Sequence, residues 1–258
     1  MNARAADLAP PLLFGLAVLA VWQVGVKLLG VPAIILPAPS AILLRLVSST
    51  PTLAADFLQT IRGVLAGYAI GSGAGLLVAI LVDRSPFLRR GLLPLGNFVS
   101  ALPIVGVAPI MVMWFGFDWQ SKAAVVVVMT FFPMLVNATV GLAGGAGSME
   151  RDLMKTYAAD YSQTLRLLRL PAAGPFVFNA LKINTTLAMI GAIVAEFFGT
   201  PTVGMGFRIS TEVGHLSIDM VWATIVVAAL TGSAFYGLVT LVERRVTFWH
   251  ASYRIREN

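Results

Sequence analysis

The chain has 258 residues, of which 58% are hydrophobic and 12% are charged, and its mean hydropathy is +0.85. An ordinary soluble domain carries about 25% charged residues, so this composition excludes that class. The absence of cysteine excludes disulfide and thiolate chemistry. The net charge of +6 would suit a nucleic-acid binder, but in a membrane protein the placement of basic residues matters more, and we expect lipid and no nucleic acid as a partner.

Uncharged runs recur along the chain at the length of a membrane span. About 20 helical residues cross a hydrocarbon core of about 30 Å. Five runs contain no charged residue, and a sixth is interrupted by Lys182 and Glu196; the six cover residues 8–26, 63–82, 91–117, 123–149, 176–198 and 220–242. The sequence therefore predicts an all-α, polytopic membrane protein with about six transmembrane helices. The first run is longer than a usual signal-peptide core, which predicts a retained anchor.

The basic residues predict the orientation of these spans. If the amino terminus is cytoplasmic, the inner segments carry twelve basic residues and the outer ends five, with Lys182 set aside as membrane-embedded. The twelve are Arg4, Arg84, Arg89, Arg90, Arg151, Lys155, Arg166, Arg169, Arg244, Arg245, Arg254 and Arg256. Cytoplasmic loops are enriched in Lys and Arg, so we expect both termini in the cytoplasm.

Three regions follow from this topology. Residues 1–56 form an anchor helix and an external segment with a short surface helix, because Pro37 and Pro39 argue against a continuous helix. Residues 57–243 form the transmembrane domain, and residues 244–258 form a cytoplasmic tail.

Glycine and proline mark two of the predicted spans. Glycines recur every fourth residue in the second span, at Gly63, Gly67, Gly71 and Gly75. Small residues let helices approach closely in lipid, either within one chain or at a dimer seam. The third span contains three prolines, Pro94, Pro103 and Pro109, which predict kinks that line a pathway or are plain bends.

The loop between the fourth and fifth spans is amphipathic. Apolar residues recur every three or four positions over residues 150–170, at Leu153, Tyr157, Tyr161, Leu165 and Leu168. This spacing predicts one helix with an apolar face, and Pro171 is expected to end it with Leu170 outside helical geometry. Such a helix lies on the inner leaflet or docks into a groove on a cytoplasmic partner.

This loop resembles the EAA loop of ABC importer permeases. Aligned backwards from Leu170 and Pro171, the glutamate of that loop corresponds to Asp152, its two alanines to Leu153 and Met154, and its glycine to Ala158. The chain departs from the family pattern at all four positions, most of all in the bulky Leu153 and Met154. The resemblance implies a set of residues that dock onto an ATPase subunit, namely Asp152, Leu153, Met154, Tyr157, Ala158, Tyr161, Ser162, Leu170 and Pro171.

Two further segments carry the same resemblance. The stretches ALPIVGVAPIMVMWFG and LPAAGPFVFNALKINTTLAMIGAIVAEFFGTPTVGMGF are similar to the taurine, nitrate and sulfonate branch of these permeases. The likeness covers approximately residues 57–242. Within that branch, DLMKTYAADYSQT resembles permeases for pyrimidine precursors or riboflavin.

The resemblance implies a transmembrane subunit of an ATP-driven importer with the type-I ABC importer permease fold, in a bacterial inner membrane. Its implied partners are a second copy of the permease, two ATPase subunits and an external solute-binding protein. No GxxxxGK[ST] phosphate loop occurs, so we expect ATP to be held by the partner and this chain to be no enzyme and to carry no cofactor. The solute is expected to be a sulfonate, a pyrimidine precursor or a riboflavin-like compound. The alternative is a secondary transporter driven by an ion gradient.

Polar residues and prolines inside the spans supply candidate pathway or gate positions, Glu196, Asn184, Pro103 and Pro109. Glu196 pairs with a basic residue such as Arg208 or lines the external gate, whereas Lys182 is expected to extend toward the headgroups. Asn184 binds solute or bonds between helices. We expect no metal site, because His215 with Glu212 and Asp219 makes a poor ligand set.

Overall fold

The computed structural model describes residues 3–100, 102–199 and 203–248. These residues form eleven α-helices and no strand, which confirms the all-α class. The helices are α1 (Ala3–Leu28), α2 (Pro39–Ser48), α3 (Thr50–Arg84), α4 (Pro86–Ser100), α5 (Ile104–Phe115), α6 (Trp119–Gly144), α7 (Ser148–Thr156), α8 (Tyr161–Thr164), α9 (Leu170–Phe198), α10 (Met205–Gly214) and α11 (Ile218–Val246). A π-helical turn, Leu165–Arg169, joins α8 to α9. Of the predicted tail, only residues 244–248 lie within the described ranges.

Five helical segments in the described part of the chain are long and apolar enough to cross a membrane: Ala9–Leu28, Thr50–Arg84, Trp119–Gly144, Tyr161–Phe198 and Ile218–Val246. In a bilayer every backbone polar group needs a partner, and a helix supplies all of them internally. The apolar composition and length of these segments therefore fix their structure as helices.

The third predicted span is interrupted more sharply than the kinks that its prolines predict. The chain there forms two shorter helices, α4 and α5, which are separated between Ser100 and Ile104. Pro103 stands at the N-cap of α5 in an extended conformation, and a proline restricts the residue before it to extended geometry. Gly96 of α4 lies against Phe132, and Ala108 of α5 shares a core cluster with Val125. The two helices together therefore run alongside α6.

The glycine stripe packs α3 against α6 within the chain. Its four glycines face four residues that recur at the same four-residue spacing on α6, namely Lys122, Val126, Thr130 and Met134. The pairing runs in the same order along both helices, so α3 and α6 are parallel. Between the end of α3 and the start of α6 the chain must therefore cross back along the whole length of the bundle. Helices α4 and α5 together make this crossing. This arrangement confirms the intrachain alternative for the stripe.

The bundle has a basic end. Helix α9 runs antiparallel to α6, because Gly141 near the end of α6 meets Phe176 and Gly199 after the end of α9 meets Phe117. The junctions 84–90, 144–170 and 244–248 therefore lie together, and we call this the basic end after its arginines. The other end holds the start of α3, the α5–α6 junction and α10, and is called the opposite end.

Helix α1 lies at the edge of the bundle. Most of its described side chains are exposed, including Leu12, Phe14 and Val21. Helix α1 contacts α11 near the opposite end, where the ring centroids of Trp22 and Trp222 lie 5.1 Å apart. Outward-facing apolar side chains of this kind suit contact with lipid.

Candidate functional site

The amphipathic segment at the basic end is two helices rather than the single one predicted from its periodicity. Helix α7 ends at Thr156, and the backbone turns before Tyr161. Ala158 has φ +49°, its N–H donates to Lys155 O at 2.9 Å, and the N–H of Ala159 donates to Met154 O at 3.0 Å. These two bonds form a Schellman motif, which ends helices with a left-handed residue that is usually glycine. The family glycine that aligns with Ala158 therefore falls where the backbone favours glycine.

Pro171 does not end the helix, contrary to the sequence-based expectation. Leu170 has helical angles, φ −63° and ψ −47°, and α9 continues through Pro171 to Phe198. A proline inside an α-helix lacks a donor and clashes with the carbonyl four residues earlier. The N–H of Leu170 instead donates to Leu165 O, five residues back. This wider π turn, which immediately precedes Pro171, relieves the steric clash between the proline ring and the preceding turn of the helix.

The predicted apolar face divides between solvent and bundle. Met149, Leu153 and Tyr157 follow one another at four-residue spacing and are 84%, 54% and 77% exposed. Tyr161, Leu165 and Leu168 are half-buried, and Leu165 packs against the core cluster at this end. One half of the segment therefore anchors it, while the other half presents an apolar stripe.

A buried carboxylate holds this segment in place. Asp83 Oδ1 accepts a hydrogen bond from Arg169 Nη2 at 2.6 Å, and Asp83 Oδ2 accepts one from the Tyr161 hydroxyl at 3.0 Å. Arg169 Nε also donates to Leu142 O at 3.0 Å. On the other flank, Arg151 Nη1 donates to Ala143 O at 3.0 Å. The segment is thus fixed to the ends of both α3 and α6.

Sequence reasoning missed Asp83 as part of this site. The signal was present, because Asp83 is the acidic residue between an apolar span and the basic pair Arg89 and Arg90. Its partners, however, lie 78 and 86 positions further along the chain. No local periodicity links residues so distant in sequence.

The remaining predicted docking residues take different positions. Asp152 and Ser162 are exposed, whereas Met154, Leu170 and Pro171 are half-buried. Lys155 Nζ donates to Asp152 Oδ1 at 2.9 Å and lowers the pKa of that carboxyl below its ordinary value. Docking onto an ATPase stays a prediction for all of these residues.

At the opposite end, Glu196 and Arg208 are not partners, which corrects the suggested pair. The buried Glu196 carboxylate accepts hydrogen bonds from the Thr60 hydroxyl at 2.8 Å and from the Gly206 N–H at 2.6 Å. Arg208 Nε donates instead to Asp56 Oδ2 at 2.8 Å. This bond to Asp56, followed by the charge of that carboxylate, raises the pKa of the Arg208 guanidinium.

This polar network caps α10 with side chains from two other helices. Gly204 N–H donates to Asp56 Oδ1 at 2.9 Å, and Met205 N–H donates to Thr60 Oγ1 at 2.9 Å. With the Gly206 bond to Glu196, three donors at the first turn of α10 are satisfied by α3 and α9. Gly204 has φ +145°, and a Cβ there would lie 2.8 Å from the Glu196 carboxyl. The segment GTPTVGMGF therefore leads into a helix, and its residues 200–202 lie outside the described ranges.

Lys182 pairs with a carboxylate instead of extending toward the headgroups. Its Nζ lies 2.9 Å from Glu243 Oε2 on α11, and both side chains are largely buried. Asn184 Nδ2 donates to Ser72 Oγ at 2.9 Å and to Thr130 O at 2.8 Å. It therefore bonds between helices, which was one of its two predicted uses.

The predicted pathway residues do not form one cluster. Pro103 begins α5 and Pro109 lies within that helix. Asn184 is enclosed among α3, α6 and α9, while Glu196 belongs to the network at the opposite end. A role in the pathway stays a prediction for each of these four residues.

These features define the class to which the protein belongs. The described residues form a multi-pass bundle in which most polar groups connect one helix to another. An anchored apolar stripe lies at the basic end, and the hydrogen-bond network that caps α10 lies at the opposite end. The architecture is that of a multi-pass helical membrane protein.

The sequence of residues 71–248 matches the family described as binding-protein-dependent transport system inner membrane component. The chain is 31% identical to the riboflavin transport system permease protein of Chloroflexus aurantiacus, over 90% of this chain and 86% of that protein. It is 29% identical to the formylaminopyrimidine transport permease protein of Halalkalibacterium halodurans, over 93% of this chain and 95% of that protein. It is 27% identical to the taurine transport system permease protein of Escherichia coli, over 68% of this chain and 63% of that protein.

The chain therefore belongs to the family of binding-protein-dependent transport system inner membrane components, and it is an ABC importer permease of the sulfonate and taurine branch. This membership confirms the resemblance read from the sequence and the multi-pass location in the inner membrane. The relatives are transport permeases and not enzymes.

Proposed function

We propose that this chain forms the solute pathway of an ATP-driven importer and couples it to a cytoplasmic ATPase through residues 148–169. The observation that carries the proposal is the exposed stripe of Met149, Leu153 and Tyr157 on a short helix fixed to the bundle. An apolar helix face suits a hydrophobic groove on a partner. Because the Asp83–Arg169 pair anchors the segment, a pull on the stripe is transmitted to α3 and α9.

The proposed assembly contains two copies of this chain, two ATPase subunits that bind ATP, and an external solute-binding protein. The chain itself carries no cofactor. The basic end faces the cytoplasm, as do both termini. The solute is a small organic molecule of the kinds that the relatives' names indicate, such as a sulfonate, a pyrimidine precursor or a riboflavin-like compound.

The test is co-purification and ATPase activity of the complex. Leu153→Asp places a charge in the apolar stripe without touching the anchoring bonds. We expect loss of the co-purifying ATPase subunit, or at least about a tenfold fall in solute-stimulated ATP hydrolysis, because burying an unpaired carboxylate costs several kcal/mol. Val213→Asp is the matched control, since Val213 is a similarly exposed apolar residue on α10 at the opposite end.

Ala158 gives a second pair of variants. Ala158→Lys adds bulk and charge beside the stripe. It adds no backbone strain of its own, because alanine already places a Cβ at this left-handed residue. Ala158→Gly removes that Cβ and with it the strain of the left-handed backbone. We expect the lysine variant to uncouple ATP hydrolysis from solute and the glycine variant to keep coupling. Normal coupling in both Leu153→Asp and Ala158→Lys would overturn the proposal.

A further inference from the structure

A cleft beside α9 runs from the helix break of the third span toward the basic end. One section of about 100 Å³ is apolar and includes Val99 and Leu102, close to the α4–α5 break. The other, of about 350 Å³, is lined by Asn179, Lys182, Thr186 and Tyr236, among others. Leu187 lines both sections, so the two pockets are neighbours beside α9, and together we call them the cleft.

The backbone break indicates what fills this cleft. Leu102 and Pro103 are not helical, and α5 begins at Ile104, only about half-way along the bundle, beside Met129. Non-helical backbone at membrane depth is tolerated only where it is buried in protein or lines a water-filled cavity. Leu102 is 42% exposed and lines the cleft, which places this break at a cavity wall.

The polar side chains of the second section also indicate that water or a polar ligand fills the cleft. Thr186 lies about 18 Å along α9 from Phe198, since a helix rises about 1.5 Å per residue, so it stands well inside the bilayer. Thr186 and Asn179 are exposed, and within the described part of the chain the Thr186 and Tyr236 hydroxyls make no hydrogen bond. Asn179 makes one long bond, 3.3 Å, from its Nδ2 to Asn137 Oδ1. Free polar groups at this depth belong against water or a polar ligand rather than lipid.

The charge in the cleft is balanced. Lys182 is its only charged lining residue among those described, and its Nζ is held by both Glu243 oxygens at 2.9 and 3.1 Å. The ammonium is therefore neutralised and has few donors left for an anionic solute. The accessible groups are an amide, two hydroxyls and an aromatic ring.

We propose that this cleft is the solute-contact surface of the pathway and that it accepts an uncharged, hydrogen-bonding organic molecule. This narrows the proposed solutes given above, because it removes anions such as a sulfonate. The inference rests on the proposed function, which it deepens by assigning the contact residues and the solute class. The apolar section beside Leu102 and Leu187 takes the less polar part of the solute, and Asn179, Thr186 and Tyr236 take its polar groups.

The absence of cysteine from the chain makes the test direct. Single variants Thr186→Cys and Asn179→Cys are placed in lipid nanodiscs and treated with membrane-impermeant methanethiosulfonate reagents. Leu230→Cys is the control, since Leu230 is 65% exposed on the mid-part of α11 and lines neither section of the cleft. We expect both cleft variants to react at least about tenfold faster than Leu230→Cys.

The alternatives give different results. If Thr186 faces lipid, Thr186→Cys is as unreactive as the control, and the proposal fails. If it faces a second copy of the chain, the variant is unreactive to the reagent but forms an interchain disulfide on oxidation, and the proposal also fails. Labelling needs no ATPase, so it stands or falls separately from the coupling variants.

The solute class is tested with the charge of the reagent. In a neutral cleft, anionic ethylsulfonate and cationic ethyltrimethylammonium reagents modify Thr186→Cys in the same ratio, within about threefold, as they modify a free thiol. The added substitution Glu243→Gln leaves Lys182 unbalanced four residues away, and we expect it to shift that ratio toward the anionic reagent by about tenfold. A strong anionic preference with Glu243 intact would overturn the assignment to an uncharged solute.

Discussion

At the scale of single residues, the buried charges of this chain mostly tie helices together. Asp56, Asp83 and Glu243 each accept hydrogen bonds from a basic residue on another helix or on the π turn. A buried charge without a partner is strongly destabilising, so each pair fixes the relative position of two segments. Asp56 is the most enclosed, with no exposed side-chain surface.

We expect Asp56→Ala to destabilise the protein by about 3–5 kcal/mol, because it leaves the Arg208 guanidinium and the Gly204 N–H without their acceptor. The thermal midpoint in detergent should fall by about 10 °C. Lys155→Ala serves as the control, since the Lys155–Asp152 pair is 79% and 70% exposed and surface pairs contribute little. Equal midpoints for Asp56→Ala and the native chain would show that the network at the opposite end is not structural.

At the scale of elements, the close packing of α3 against α6 depends on glycine at one face of α3. A Cβ at Gly67 would lie 2.5 Å from the Val126 Cβ and 2.6 Å from the Ala123 carbonyl oxygen. Gly73 lies on the same helix with nothing within 4 Å of such an atom. The two positions therefore separate close packing from helix propensity.

Gly67→Ala is expected to destabilise the bundle by about 1–3 kcal/mol, the usual effect of overpacking. Gly73→Ala is expected to be neutral or to stabilise by up to about 1 kcal/mol, because alanine is the better helix former. Thermal unfolding of both variants in the same detergent checks the contrast. If Gly67→Ala matches Gly73→Ala, the α3–α6 contact is looser than the structure has it.

At the scale of the whole molecule, parallel packing of α3 and α6 and the path of α4 and α5 between them bring the basic junctions to one end. The positive-inside tendency then orients the bundle. Alkaline phosphatase, which is active only outside the cytoplasm, is therefore expected to be inactive when fused after Asn258 and active when fused after Gly214. The reverse pattern would invert the proposed orientation and move the apolar stripe to the wrong side for an ATPase.

Local signals predicted much of this protein. Run lengths and composition gave the spans and the all-α class, four-residue spacing located the glycine stripe, and the loop pattern located residues 150–170 as the amphipathic segment. These features depend on neighbours within about one or two helical turns, which a sequence shows directly.

The sequence by itself determined which segments are apolar helices, because a bilayer leaves a backbone of that composition no other way to satisfy its hydrogen bonds. Only the tertiary structure decided the partners of Asp56, Asp83, Glu196 and Lys182, the break of the third span, and the passage of α9 through Pro171. The partners lie up to 152 positions apart in sequence, so the choice among carboxylates and bases at similar depth is made by helix packing. The π turn before Pro171 likewise arises together with the bond from Arg169 to Asp83, which no pattern within residues 148–171 contains.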